Sequence, residues 1–252
     1  MRLRMLAIVN AISGKAASVL LVRDDPYRVL MVKRRDSGQY ASAFVFPGGA
    51  VDDSDRDAIW QDFVVGRDDH NLDERAYKIA AARETWEEVS LLIGLADAQK
   101  YVSELSSSES YLSVLQNLGL RVSLEDLHYF GHWLTPVDMP KRWDTRFLLA
   151  RAPLDQEPSI DADEIVSHEW VSPMDAVEMH HQGERQYLYP TLMNLKRLAE
   201  SSSVAESIER SQSYPRVTAA VVAQRSDEGV WRSVPAEAGY GSERHWTPAE
   251  KS

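Results

Sequence analysis

The sequence predicts an α+β chain, a sheet assembled from separated strand runs with helices packed on it. Three observations carry that expectation. Residues 16–23 (AASVLLVR) and 27–34 (YRVLMVKR) are strand-forming runs parted by Asp24-Asp25-Pro26, a turn cluster whose proline cannot continue a ladder, so they read as a β-hairpin. Ile79, Ala82, Trp86, Val89 and Ile93 fall within a narrow arc at 100° per residue, the mark of one buried helix face. Strand-like runs then return at 126–135 and 142–150, and Pro136 and Pro140 between them demand a loop.

The remaining elements follow in order. Phe44-Val45-Phe46 is a third short strand that stops at Pro47-Gly48-Gly49, a flexible corner. Residues 52–73 are acidic but contain Trp60 and Phe63, so they form a partly packed excursion. After Gly94 comes a helical insert, interrupted at Ser106-Ser107-Ser108 and resuming at 111–120. A short strand at 168–171, a helix at 174–180 and an amphipathic helix at 190–199 complete a domain over residues 1–200, with inserts at about 56–76 and 95–125. Residues 201–252 read as an extension. Its serine-rich stretch 201–215 suggests a linker, 217–222 and 230–234 suggest a hairpin with Trp231 packed back onto the domain, and 240–252 suggest a poorly ordered end.

Composition narrows the chemistry. The 252 residues are 44% hydrophobic, enough for a substantial core, and 28 Lys and Arg against 39 Asp and Glu leave a net charge of −11. That charge repels a phosphate polymer and argues against a nucleic-acid binder, although local arginines and a metal can still hold a small phosphate. With no cysteine there is no disulfide scaffold, thiolate zinc site or cysteine nucleophile, so the chemistry rests on oxygen and nitrogen. The apolar stretch 5–9 is short for a signal peptide and no run is long enough to span a bilayer. The expectation is a cytoplasmic protein without a membrane or nucleic-acid partner, and a homodimer is left open. There is no Gly-x-Gly-x-x-Gly or Walker pattern.

The segment Arg83-Glu84-Thr85-Trp86-Glu87-Glu88 carries the chemical signal. Glu84, Glu87 and Glu88 lie on the helix side opposite the apolar arc, on one exposed face, and each like-charge pair at i+3 or i+4 costs a few tenths of a kcal/mol. Arg83 reaches Glu87 in the weaker orientation, and the set lies too far into the helix for the macrodipole to help. A hard divalent cation such as Mg²⁺ would neutralise it, since Mg²⁺ takes oxygen ligands and bridges carboxylates to phosphates. A solvated acidic face is the plainer alternative.

The Gly48-Gly49 corner, the acidic loop with Asp55, and Arg83-Glu84-x-x-Glu87-Glu88 together resemble the signature of the Nudix hydrolases. Gly49 matches the opening glycine and Asp55 stands where a glutamate is usual. Three departures are evident: about twenty extra residues between Arg56 and Ala82, Thr85 for an aliphatic residue, and Ser90 for a late glycine. The peroxisomal coenzyme A diphosphatase-like branch (nudix motif 19) carries such insertions. The chain resembles it also in Phe46-Pro47-Gly48-Gly49-Ala50-Val51-Asp52, Trp133-Leu134-Thr135-Pro136 and 141–147 (KRWDTRF). The likeness covers roughly residues 15–200 and suits a bacterial-type relative.

That resemblance implies a Nudix-type α/β/α sandwich around a mixed sheet, and hydrolysis of a diphosphate in a nucleoside-diphosphate-linked small molecule with Mg²⁺ or Mn²⁺. Coenzyme A or acyl-coenzyme A comes first among substrates and NADH or ADP-ribose second. A Nudix-fold regulator without catalysis is the alternative of another class. By the same resemblance Glu84, Glu87, Glu88 and the Gly48 carbonyl hold metal, Glu84 coordinates metal or deprotonates water, and Arg83 orients it.

Further residues admit two readings each. Arg142 and Arg146 either clamp a substrate phosphate or pair with Asp138 and Asp144 on the sheet. Asp161, Asp163 and Glu164 form an acidic loop that is either solvated or supplies an extra ligand or base, with Glu164 the candidate. His128 and His132 sit in a strand, and His180 and His181 point apart on a helix; both pairs are expected to be structural or at the surface. Trp60, Trp133 and Trp143 are expected to be buried, with stacking on a base as the alternative.

Overall fold

A computed structural model describes residues 11–35, 43–66, 72–95, 109–160, 164–242 and 244–248. The predicted hairpin is β1 (Gly14–Arg23) and β2 (Arg28–Arg34), antiparallel with Val22 opposite Val29. Its residues alternate between two cores. Val19, Leu21, Leu30 and Val32 enter one, while Leu20, Val22, Val29 and Met31 enter the other. Both faces are therefore covered, which is why these strands read as unbroken apolar runs.

Around them the described residues form an eight-stranded mixed sheet. β3 (Phe44–Val45) borders β2, β4 (Gly48–Ala50) pairs with β1, and β5 (Val64–Val65) lies outside this sheet. The Gly48-Gly49 corner is thus itself a short strand, with Gly48 opposite Ser18. Gly48 has φ +147°, and a side chain there would collide with the backbone of Ala17 and Ser18, so only glycine fits so close to β1.

The first helix, α1 (Leu72–Val89), covers one face, and α2 (Tyr111–Leu118) joins it there. The two inserts meet. β5 runs parallel to β6 (Val122–Ser123), and Trp60 is buried with its ring 6.2 Å from that of Tyr111. The excursion is held by the second insert, and the aromatic residues that marked it as packed are the ones that pack. Residues 67–71 and 96–108, including the serine triplet, lie outside the described residues. Ser90, at the late-glycine position, adopts φ +55°, the left-handed conformation that glycine takes most easily.

The sheet continues with β7 (His128–Leu134), β8 (Trp143–Arg151) and β9 (Ile165–Val171). β8 lies parallel to β1 along its length, and β9 pairs with β2. The opposite face carries α3 (Pro173–His181), α4 (Tyr189–Leu198) and α5 (Val204–Gln212). Helices thus cover both faces of a mixed sheet, the predicted α/β/α layering.

The C-terminal part differs from expectation. The serine-rich stretch forms α5 because its serines have partners: Ser203 caps it by accepting from the Glu206 amide at 3.2 Å, and buried Ser207 meets the Tyr27 hydroxyl at 2.6 Å. Residues 218–220 join the main sheet as β10 (Thr218–Ala220), parallel to β7, instead of entering the hairpin. His132 pins this edge, contacting Thr218 Oγ1 and Asp144 Oδ1 at 2.8 Å each, a structural role for that histidine. The hairpin is β11 (Val222–Ser226) with β12 (Gly229–Ser233), and β13 (His245–Pro248) adds a third strand. Trp231 stays 39% exposed and packs on Trp246 at 5.0 Å instead of on the domain. Tyr240, expected to be poorly ordered, is buried, donating to Asn194 Oδ1 at 2.7 Å and accepting from the Trp133 indole at 2.9 Å. Polar composition hid these long-range partners.

Candidate active site

The acidic face of α1 does not face open solvent. It packs against the β4 edge, so Glu88 is only 4% exposed and Glu84 is largely covered, while Glu87 stays open. This corrects the expectation of three exposed carboxylates. The periodicity showed where the apolar arc lies, and a second packed layer on the other side left no trace in it.

Arg83 is the hub. Its Nε and Nη2 donate to the two oxygens of Asp55 at 2.9 Å each, a bidentate pair with a carboxylate that is fully buried. Nη1 donates to Glu84 Oε1 and to Glu87 Oε2, each at 2.8 Å, and Nη2 reaches the Ala50 carbonyl at 2.9 Å. Asp55 also accepts from the Asp52 amide at 2.8 Å. One guanidinium therefore joins the acidic loop, β4 and two helix carboxylates. Asp55 sits within a tight 3-10 turn (Asp53–Arg56) that aims it inward.

The glycines bring backbone up to this cluster. The Gly48 amide donates to Glu88 Oε2 at 2.9 Å, and a methyl group at Gly49 would run into the Glu84 carboxylate. Gly49→Ala should therefore displace Glu84 while leaving the sheet intact. The expected outcome is a loss of hydrolysis of about 10²-fold, with a melting temperature within a few degrees of the parent. An unchanged rate would show that Glu84 has no required position.

Burial raises all three helix carboxyls above their ordinary range, and it lifts Glu88 to about 8, against the opposing pull of the Gly48 amide and of Arg34. The other Glu88 oxygen, Oε1, is buried without a hydrogen-bond partner among the described residues. Its nearest cation is Arg34, at 3.7 Å, which lies at the same distance from Glu164 Oε2. An unsatisfied buried carboxylate oxygen beside two further glutamates fits a hard divalent cation, which would favour the ionised forms. No group of three or more His, Asp or Glu among the described residues is already drawn into a cation cage. Glu84 and Glu87 are instead turned onto Arg83.

Gly48 and Gly49, which touch Glu88 and Glu84, line one end of a cleft of about 1110 Å³ on the α4 face of the sheet, whereas Arg83, Glu84, Glu87 and Glu88 do not themselves line it. Lys33, Arg34, Gly48, Gly49 and Ala50 line that end. Glu164, just ahead of β9, is exposed and is joined to the cluster through Arg34. Asp161 and Asp163 lie outside the described residues.

Arg142 and Arg146 are not gathered with this group, and neither lines the cleft. Arg142 is buried ahead of β8 with Nε on the Thr135 carbonyl at 3.3 Å. Arg146 points to the α1 face, bound to Asp144 at 3.0 Å and Glu74 at 3.3 Å, with its guanidinium over the Tyr77 ring. Their i, i+4 spacing did not put them on a common surface, because Arg142 precedes the strand. Sequence reasoning missed Arg34 and Lys33, since nothing local links the end of β2 to Glu88, more than fifty residues on. Trp133 and Trp143 do line the cleft, while Trp60 lies in the core.

The family model for the NUDT19 Nudix domain matches residues 66–198, more than half of the chain. The chain belongs to the Nudix hydrolase family. Among curated Nudix proteins it is 28% identical to a protein named putative nudix hydrolase 7 of Caenorhabditis elegans over 73% of this chain and 60% of that one. It is 26% identical to the human acyl-coenzyme A diphosphatase NUDT19 over 71% of this chain and 62% of that one. The chain thus spans about three fifths of these relatives' lengths. A Nudix hydrolase crystal structure from Alicyclobacillus acidocaldarius superposes with a TM-score of 0.66 at 28% identity, covering 79% of this chain and 96% of that chain. Within the Nudix box, the insertion separates Asp55 from Arg83 in sequence, yet the fold brings them to 2.9 Å.

Proposed function

We propose that this protein hydrolyses a diphosphate linkage in a nucleoside-diphosphate-linked small molecule, using Mg²⁺ or Mn²⁺, with coenzyme A or acyl-coenzyme A as the first substrate class. The observation that carries the reading is the set Glu84, Glu87 and Glu88, held by Arg83 and Asp55 behind the Gly48-Gly49 end of a cleft with cations at the same end. Coenzyme A as substrate draws on the printed activity of the NUDT19 relatives.

Glu84, Glu87 and Glu88 would hold the cation, with Gly48 at their edge; Nudix hydrolases generally use such metals. When bound, the cation neutralises charge on the phosphates and favours ionised water. The chain's own residues supply the rest. Glu84 would accept a proton from the attacking water; its position is set by Arg83 on one side and by the absence of a side chain at Gly49 on the other. Lys33 and Arg34 offer charge to the phosphate oxygens at the cleft end, and Arg34 also ties Glu164 to Glu88. Arg146 is bound up with Glu74 and Asp144, so this reading gives it no substrate contact.

The test is a panel of coenzyme A, an acyl-coenzyme A, NADH, ADP-ribose and nucleoside triphosphates with Mg²⁺ and Mn²⁺, products identified by mass. Metal-dependent cleavage of coenzyme A or its acyl form at the diphosphate is expected. Cleavage of NADH or ADP-ribose alone would move the substrate class. Binding without turnover of any of them would make the protein a nucleotide-binding regulator.

A further inference from the structure

The cations that line the cleft differ in what holds them. At its far end, on the wall formed by the C-terminal sheet, Arg225 donates to Asp138 Oδ2 at 2.7 Å and Arg232 to Thr247 Oγ1 at 2.8 Å. Arg185, from the loop between α3 and α4, lies over the Phe44 ring at 4.5 Å and reaches Glu169 Oε2 at 3.3 Å. Arg34 is placed differently. Its Nη2 lies 3.7 Å from Glu88 Oε1 and 3.7 Å from Glu164 Oε2, beyond hydrogen-bond distance of both.

The backbone puts Arg34 there. β2 and β9 pair in register as far as Lys33 opposite Ser167. The pairing then slips by one residue, so that Arg34 stands opposite Ile165 and the Arg35 amide donates to the Glu164 carbonyl at 2.9 Å. The slip leaves Val166 out of the pairing and brings Glu164 beside Arg34. One guanidinium thus stands between a buried carboxylate and an exposed one, with its side chain 42% exposed at the Gly48-Gly49 end of the cleft. Glu88 Oε2 already accepts from the Gly48 amide at 2.9 Å, which leaves Oε1 as the oxygen for a cation. Arg34 faces that same oxygen. It therefore competes with a divalent cation for one acceptor, whereas a diphosphate beside Gly48-Gly49 attracts it toward the cleft.

We propose that Arg34 couples the two ligands: it holds down the affinity of Glu88 for the cation until a diphosphate draws it away. The assignment rests on the proposed reading of Glu88 as a cation ligand, and it makes the effect of Arg34 on the cation depend on the second ligand. Binding of Mn²⁺ to the full chain is followed by the paramagnetic resonance signal of the free ion. It is measured with and without saturating adenosine 5′-(α,β-methylene)diphosphate, whose P–C–P link does not hydrolyse. Without the nucleotide, Arg34→Gln should bind Mn²⁺ about fivefold more tightly than the parent, in line with the loss of one partly exposed ion pair, and the charge-keeping Arg34→Lys should stay within about twofold. With the nucleotide, the parent and Arg34→Gln should bind Mn²⁺ alike. Complexation of Mn²⁺ by the nucleotide in solution is the same for every variant and cancels.

Lys33→Gln removes the neighbouring charge, which alternation along β2 points to the other face of the sheet, and should leave Mn²⁺ affinity as it was. An unchanged or weaker affinity in Arg34→Gln overturns the proposal. So does a gain that persists with the nucleotide or is matched by Lys33→Gln, since either marks a general charge effect. Metal-dependent hydrolysis by the parent, with no gain in Arg34→Gln, would sink the coupling alone. The coupling without any hydrolysis would sink the diphosphatase reading alone, and a parent that binds no Mn²⁺ overturns both.

Discussion

Glu88→Gln should cost this protein about 10²–10³-fold in metal-dependent hydrolysis while leaving its fold in place. Glutamine keeps the shape and can still accept from the Gly48 amide, so the backbone contact at 2.9 Å survives. It removes the charge that a bound cation would draw out, and replaces the oxygen that is buried without a hydrogen-bond partner among the described residues. Because burial lifts the Glu88 carboxyl to about 8, the ionised form is disfavoured in the protein alone, so the neutral replacement should keep the fold, at a cost of about 1–3 kcal/mol for the amide NH2 that takes the unpartnered place. Unfolding in urea alongside single-turnover rates at saturating Mn²⁺ decides the matter. A variant as active as its parent would mean that Glu88 fills space and holds β4, with no part in cation binding.

The second large effect is expected at Arg83. Arg83→Met leaves Asp55, which is fully buried, without its bidentate partner, and frees Glu84 and Glu87 to repel one another. Breaking a buried pair by removing one partner costs about 3–5 kcal/mol, much more than an exposed pair is worth. Arg83→Met should therefore lower the urea midpoint sharply and abolish turnover together. The Arg83→Met/Asp55→Asn double variant should recover much of the stability, because the stranded charge is gone, and none of the activity. If the single variant loses less than about 1 kcal/mol, the hub role assigned to Arg83 is wrong.

Asp55 and Arg83 show how far the sequence can be read. Both stand at recognisable positions of the Nudix pattern despite the insertion between them, and the fold absorbs that insertion by pairing β5 with β6 and packing Trp60 near Tyr111. Arg142 and Arg146 mark the other side. Their spacing suggested a clamp, but which face a strand residue presents depends on where the strand begins, and β8 begins at Trp143. Arg34 and the C-terminal wall gave no local signal, because their relation to the acidic helix exists only across the sheet. Serine-rich composition argued for a linker at 201–215, and the tertiary partners of Ser203 and Ser207 overrode it.

By itself the sequence determined the strand and helix runs, the glycine corner and the crowded glutamates, since each is written in residues close together along the chain. The tertiary structure decided which carboxylate is buried, that Arg83 holds two of them, and that a separate C-terminal sheet closes the cleft. Those outcomes depend on contacts between distant segments, and burial and electrostatics act through distance in space, which local periodicity does not encode.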